Sequence, residues 1–365
     1  MPDWTKSMQQ TYEYYIVDPT TWKDSKPINT VKSCTIDRDA EVETLGSATF
    51  ELTEPIGECY VRVYLVTIQN GVREKHPLGT FLVQTPSTKF DGKVQTISAD
   101  AYTPLLELKD DSPDLGYYIP KKTNVMAMAY QLTRDNVRAP VIKTEHSATN
   151  FYDFIADTDD TWLSFLTDFI TNHSNEGESS TSYEYALDEL GRIYFSPKQN
   201  VSSLQPVWTY DDGNSSILRP EITINRDIYA IPNVVEVIYS NGSINRHVIA
   251  INNDRNSPTS IVNRGRRIIY RDSEPTIVGN PSLLQVKEYA KQRLRDLSAL
   301  ECELSYVHGY CPVRLRDCVR LNYSKAGIVD VKAKVMAQSI KCETGCLVTE
   351  KAVYTTNSSP NVTFL

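Results

Sequence analysis

Over much of the first hundred residues, hydrophobic and polar positions alternate with a period of two. In "SATFELTE" (47–54) Ala48, Phe50 and Leu52 fall on one side and Thr49, Glu51 and Thr53 on the other, the pattern of a strand with one buried face. "CYVRVYLVTI" (59–68) is apolar on both faces in places and predicts a central strand. "QNGVRE" supplies an Asn70-Gly71 hairpin turn. "LGTFLVQTP" and "KVQTISADAY" predict two more strands, joined around Phe90-Asp91-Gly92. Short strands at this spacing, with turns between them, predict a small barrel or sandwich.

After Pro104 the period changes. "KTNVMAMAYQLT" predicts a helix with Val125, Ala129 and Leu132 on one side. "DTDDTWLSFLTDFITNHS" predicts another, with Trp162, Phe165, Leu166 and Phe169 at helical spacing. Thr158 or Asp159 is its expected cap, and Asp160 suits the positive end of its dipole. "NHSNEGESST" (172–181) reads as a solvated linker, and "SYEYALDELGRIYFSP" as a hairpin turning at Asp188 to Gly191. A second β-rich region begins near Trp208 and holds "NVVEVIYSNGSINRHVIAI", a hairpin around Asn241-Gly242. A polar, irregular stretch follows, and then a helix, "NPSLLQVKEYAKQRLRDLSAL". Asn280 is its expected N-cap, Pro281 its first residue, and Leu283, Val286, Ala290, Leu294 and Leu297 its apolar stripe. "LRDCVRLNYSKAGIVDVKAKVMAQSI" (315–340) then predicts two strands around a Ser-Lys-Ala-Gly turn. Val329, Val331, Ala333 and Val335 share a face opposite Asp330, Lys332 and Lys334, and beyond Met336 the alternation blurs, as at a bulge or strand switch.

The predicted fold class is α+β, predominantly antiparallel β. Two β units frame the helical material: residues 1–103, an α+β insertion over 104–207, and residues 208–365, the last interrupted by the irregular segment and helix at about 252–300. The chain carries no internal repeat at the level of sequence.

The 365 residues, 40% hydrophobic and 23% charged, have the composition of an ordinary globular protein with room for more than one domain. The net charge of -8 disfavours tight, sequence-independent binding of nucleic acid, which needs clustered Lys and Arg. The opening "MPDWTKSMQQTYEYYIVD" has no apolar run behind a basic region, so no export signal is expected. No stretch approaches the ~20 apolar residues that span a bilayer. Seven unevenly spread cysteines then read as reduced thiols made in a cytoplasm.

No phosphate-binding glycine loop, Gly-x-Ser-x-Gly elbow or His-Glu-x-x-His motif is present. His76, His146, His173, His247 and His308 occupy unrelated contexts and read as loop or surface residues. Cys302, His308, Cys311 and Cys318, with Cys342 and Cys346 downstream, form the one metal-like group. Zinc needs four converging ligands, and these gaps are irregular, so small apolar cysteines in a sheet core explain them more simply. Cys342 and Cys346 bracket "ETG" at a tight turn, where either free thiols or a disulfide fits. Asp110-Asp111, Asp159-Asp160 and Asp211-Asp212 adjoin turns or helix starts, where Asp bonds the local backbone. Arg264, Arg266, Arg267 and Arg271 are the cationic run, read as a solvated strand face or subunit contact. The expectation is therefore no catalytic residue, no cofactor and no metal.

"GSATFEL" followed by "PLGTFLVQTPSTKFDGKVQTISADAYTPLLEL" resembles the first domain of the phage tail and baseplate hub proteins. The matching features are Gly79-Thr80-Phe81, the Asp91-Gly92 turn, Ser98 to Tyr102 and Leu105-Leu106. "DTDDTWLSFLTDFI" with "YALDELGRIYFSP" resembles that family's helix and hairpin, and "LLQVKEYAKQRLRDLSALECELSY" its late helix. Where the family has Gly-Asp-x-Val, this chain has Arg316-Asp317-Cys318-Val319, so a different turn is expected there. The resemblance implies two tube-like β-barrel domains with inserted α+β material. It also implies a non-catalytic virion protein of the tail or baseplate, made in the host cytoplasm. Three copies would form a homotrimer whose six barrels imitate a hexameric tube ring. The implied partners are the tail tube protein, a spike or tip protein and other baseplate proteins. DNA would pass only in transit through the channel, with no membrane insertion. The alternative is a receptor- or carbohydrate-binding tail-tip module, with a tail-associated hydrolase behind it.

Overall fold

The structure is a computed structural model, and it describes every residue except 1, 91, 94, 151, 173–181, 227, 230, 241–243, 274, 276, 278–280, 299, 357–360 and 365. The first β region comprises β1 (Gln9–Val17), β2 (Asp24–Pro27), β3 (Val31–Asp39), β4 (Gly46–Leu52), β5 (Tyr60–Gln69), β6 (Val72–Phe90) and β7 (Gln95–Tyr102). The insertion follows as α1 (Leu106–Asp110), β8 (Tyr118–Ile119), α2 (Val125–Asn136), β9 (Phe154–Ile155), α3 (Trp162–Asn172), β10 (Tyr183–Leu187) and β11 (Ile193–Pro197). The chain continues through β12 (Trp208–Asp211), β13 (Leu218–Arg226), β14 (Val234–Ser240), β15 (Asn245–Asn252), α4 (Ile261–Arg264), β16 (Ile269–Asp272) and α5 (Leu283–Ser298). It closes with β17 (Leu300–Gly309), β18 (Cys318–Tyr323), β19 (Ile328–Lys341), β20 (Leu347–Thr356) and β21 (Val362–Phe364). The fold is α+β and mostly antiparallel β, as the pattern predicts.

Thirteen strands form one sheet in the order β13-β17-β20-β19-β3-β4-β7-β6-β5-β1-β2, with β12 and β18 branching from β19. The predicted faces recur in it. Ala48, Phe50 and Leu52 are buried, and β5 is buried along most of its length between β1 and β6. The β5–β6 turn is made by Asn70 and Gly71, both at positive φ (52° and 77°), the backbone that a two-residue hairpin requires. "LGTFLVQTP" is not a separate strand. It is the middle of the 19-residue β6, which stays paired to β5 and β7 through register shifts.

Contacts divide the chain into two compact units. The larger is Met1–Ile222 with Tyr306–Ala352, and the smaller is Thr223–Ser305 with Val353–Leu365. In the larger unit, Trp162, Leu163, Phe165, Leu166, Phe169 and Ile170 of α3 pack with α2, the apolar face of β10–β11 and Leu105 to Leu108. In the smaller unit a four-stranded sheet, β16-β14-β15-β21, is covered by α5 through Val286, Ala290 and Leu294.

Several local expectations are corrected. The cap of α3 is Thr161, not Thr158 or Asp159. The Thr161 hydroxyl accepts from the Ser164 amide at 3.1 Å while the Thr161 amide donates to Ser164 Oγ at 3.0 Å, so both end donors are satisfied. Ser282 and Gln285 form the same reciprocal pair before α5, which leaves Pro281 ahead of the helix; Asn280 lies outside the described residues. Leu283 is 48% exposed, so the α5 stripe loses its first member; Val286, Ala290 and Leu294 are buried, and Leu297 packs against them. Val329 is 66% exposed beside Asp330, which has positive φ, so the buried face of β19 starts later than alternation suggests. The Asn241-Gly242 turn and the segment 173–181 lie outside the described residues.

Burial, not hydrophobicity, sets the cost of truncation here. Phe165→Ala in the larger core should cost about 3–5 kcal/mol. Leu115→Ala, at a residue 86% exposed, should change stability by less than about 0.5 kcal/mol. Urea unfolding followed by circular dichroism checks both.

Candidate functional site

Strand β19 serves two neighbours in turn along one edge. Cys318 to Leu321 of β18 pair with Lys334 to Val331, and then Asp39 to Thr35 of β3 pair with Ala337 to Lys341. Between the two stretches the buried parity shifts. Ala333 and Val335 point inward, and after Met336 the inward residues are Gln338 and Ile340. This is the strand switch that the blurred alternation predicts. It joins the two β regions of the larger unit into one sheet.

A buried polar chain crosses that seam. Arg38 of β3 donates through Nη2 to the Leu78 carbonyl (2.6 Å) and through Nη1 to Gln338 Oε1 (3.0 Å). Gln338 Nε2 donates to Glu350 Oε2 (2.7 Å) and to the Val313 carbonyl (3.1 Å). Glu350 Oε1 accepts from the Tyr306 hydroxyl at 2.5 Å. His308 Nδ1 lies 2.7 Å from the Gly309 carbonyl, which can only accept, so Nδ1 carries a proton. His308 Nε2 faces the Tyr210 oxygen (3.2 Å) and Glu350 Oε2 (3.5 Å), and Tyr210 lies 3.3 Å from Cys311 Sγ. His308 and Glu350 are fully buried. Burial opposes a charge on His308, but the hydrogen bonds to Cys311 and Glu350 and the carboxylate charge outweigh it, raising the group to about 10. Every polar group in the chain is satisfied, as a buried network requires.

A second junction holds the tip of the β10–β11 hairpin. Arg62, 4% exposed, donates to Thr80 Oγ1 (2.9 Å), Asp24 (2.8 Å), the Trp22 carbonyl (3.3 Å) and the Leu190 carbonyl (3.1 Å). Trp22 Nε1 donates to the same Leu190 carbonyl at 2.7 Å, and Arg314 forks onto Glu189 at 2.5 and 2.7 Å. Gly191 turns at φ 74°, and a Cβ there would stand 2.8 Å from Thr80 Cβ, so only glycine fits. Beside this tip lies a cavity of about 260 Å³, lined by β3, β6, the hairpin, Arg314 to Asp317 and Lys334.

The residues singled out by sequence are dispersed. His308 is a core residue, contrary to the expectation of a loop or surface position. Among the described residues no group of His, Cys, Asp and Glu has metal-binding geometry. Cys342 and Cys346 are both free and buried; the Cys342 amide donates to the Cys34 carbonyl (2.9 Å), so Cys342 lies against Cys34 across the seam. Asp211 accepts from the Gly213 amide, a local turn bond. Arg271 pairs with Glu236 at 2.6 Å, Arg264 donates to the Ile231 carbonyl and Arg266 stacks on Tyr229. Arg316, at the position of the glycine in the Gly-Asp-x-Val pattern, takes positive φ (67°). Glu350, Gln338 and Arg62 went unnoticed in the sequence. The available signal was a polar residue in an apolar register, such as Glu350 between Val348 and Ala352.

His308 is held above its unfolded value of about 6.5, so its contribution to stability is complete below that pH and is lost as pH rises through about 10. Urea midpoints at pH 7 and pH 10 should therefore fall further for the wild type than for Glu350→Gln, which has no counter-charge to lose. Gly191→Ala should cost about 2–3 kcal/mol from strained φ and the clash with Thr80, read in the same assay.

No family model and no curated protein matches the sequence. Solved structures do match its fold. A tail protein from Neisseria meningitidis is similar at 14% identity with a TM-score of 0.60, over 96% of this chain and 98% of that one. The 43 kDa tail protein of prophage MuSo2 from Shewanella oneidensis is similar at 13% identity with a TM-score of 0.61, over 94% and 98%. The PdpA–VgrG complex of Francisella is similar at 9% identity with a TM-score of 0.53, over 98% of this chain and 54% of that one. The chain thus has the fold of phage tail proteins along nearly its whole length, two β regions on one sheet with α+β material between them.

Proposed function

We propose that this chain is a non-catalytic hub of a phage tail or baseplate. Three copies form a ring in which two β-barrels per chain make a pseudo-sixfold collar, joining the tail tube to a central spike or tip and leaving a channel for DNA. The observation that carries this reading is fold likeness to two tail proteins over nearly the full length of all three chains. In this reading residues 1–103 and the strands after 208 supply the two barrels, and 104–207 the insertion. The strand switch in β19 supports it: one continuous sheet runs through both β regions of the larger unit, as two adjoining barrels would need. A net charge of -8 suits a passage through which DNA moves without being held. Closed threefold symmetry would also cover sheet edges, which are a hazard in an isolated chain.

Light scattering coupled to gel filtration should give three times the chain mass, and negative-stain images should show rings with six lobes. A monomer at every concentration tested, with no ring beside the tail tube protein, would contradict the proposal.

A further inference from the structure

The cavity beside the hairpin tip has a charge distribution that the hub reading does not use. We propose that it is a binding site for an oxyanion, a carboxylate or phosphate carried on a compact apolar body. The cations that carry it are Arg316 and Lys334, and both face one carboxylate, Glu184. Arg316 Nε lies 3.1 Å from Glu184 Oε1, both side chains being about 15% exposed, and Arg316 Nη1 donates to the Tyr185 carbonyl at 2.6 Å. Among the described residues Arg316 Nη2 has no protein acceptor. No carboxylate among them stands within 4.0 Å of Lys334, which is half-buried on β19 and lines the cavity. Of the other lining carboxylates, Glu189 is committed to Arg314, Asp188 to Arg192 at 2.6 Å, and Asp317 to the Arg314 amide at 2.8 Å, while Asp37 on the β3 side has no ion pair among the described residues. Burial pushes Lys334 below its usual value; the Glu184 charge opposes this, and the repulsion of Arg316 and Lys198 adds to it.

The polar groups a bound anion would need are present. Tyr194 and Ser196 sit on the cavity face of β11, opposite Ala186 and Glu184 of β10, while the other face of the hairpin packs into the core. Leu45 and Phe81 supply apolar wall. At ~30 Å³ per water the volume holds roughly eight or nine waters, the size of a small organic acid or the C-terminal residue of a peptide. An Arg and a Lys converging in a recess that is partly shielded from water are the groups that capture such anions.

The test is calorimetric titration of the full-length protein with sodium phosphate, benzoate and N-acetyl-phenylalanine, with benzamide and N-acetyl-phenylalanine amide as neutral controls. Lys334→Gln should weaken anion binding by about tenfold. Glu184→Gln, which removes the competing carboxylate and frees Arg316, should tighten it several-fold. The opposite signs keep the proposal testable if one variant folds poorly. Binding of benzoate and phosphate supports a free small anion as the ligand, and binding of the acetylated amino acid alone supports the C-terminal carboxylate of a partner chain. No binding of any anion below about 10 mM, equal binding of the neutral controls, or identical affinities in both variants would overturn it. None of these results depends on the oligomeric state, so failure here is separable from failure of the hub reading.

Discussion

A single strand that must pair with two neighbours in turn is the constraint on which the larger unit rests. β19 pairs with β18, then shifts its inward parity near Met336 and pairs with β3. A one-residue slip would expose every inward side chain of the stretch that slipped. The chain Arg38–Gln338–Glu350 pins the switch, because Gln338 bonds partners on both sides of the seam with its two amide ends. No apolar residue at 338 could satisfy the Arg38 guanidinium and the Glu350 carboxylate together.

The energetic meaning of this chain is register more than bulk stability. Buried ion pairs and their networks are weak stabilisers, since desolvation offsets most of the attraction, but leaving one member unpaired is costly. A slip of β19 against β3 would part Gln338 from Arg38 and leave buried polar groups without partners, so the native register is favoured by what the alternatives lack. The hairpin clasp works the same way. Arg62 and Trp22 both donate to the Leu190 carbonyl, which places the insertion against the first β region through backbone atoms and makes little demand on the residue at 190.

Much of the fold is legible in the sequence because it follows from periodicity. Ala48, Phe50 and Leu52, the α3 row from Trp162 to Phe169, the Asn70-Gly71 turn and the blur after Met336 all report local geometry. The parts that escape notice depend on contacts distant in sequence. Arg38 and Gln338 are 300 residues apart, and Arg62 and Leu190 are 128. His308 looks like a surface residue because its partners Tyr210 and Glu350 lie in other strands. The helix caps fell a few residues from their expected places because several Ser, Thr and Asp residues precede α3, and only the backbone selects Thr161. The cavity is invisible in the sequence because its charges come from four separate segments, around residues 37, 184–189, 314–317 and 334.

The account stands on the two β regions of the larger unit behaving as one cooperative body across the β19–β3 seam. Native-state hydrogen exchange measures this directly. Amides of β18–β19 on one side and of β3–β4 on the other should share one opening free energy and one denaturant dependence, equal to global unfolding of the larger unit. Two distinct opening free energies, with one side exchanging while the other stays protected, would contradict it.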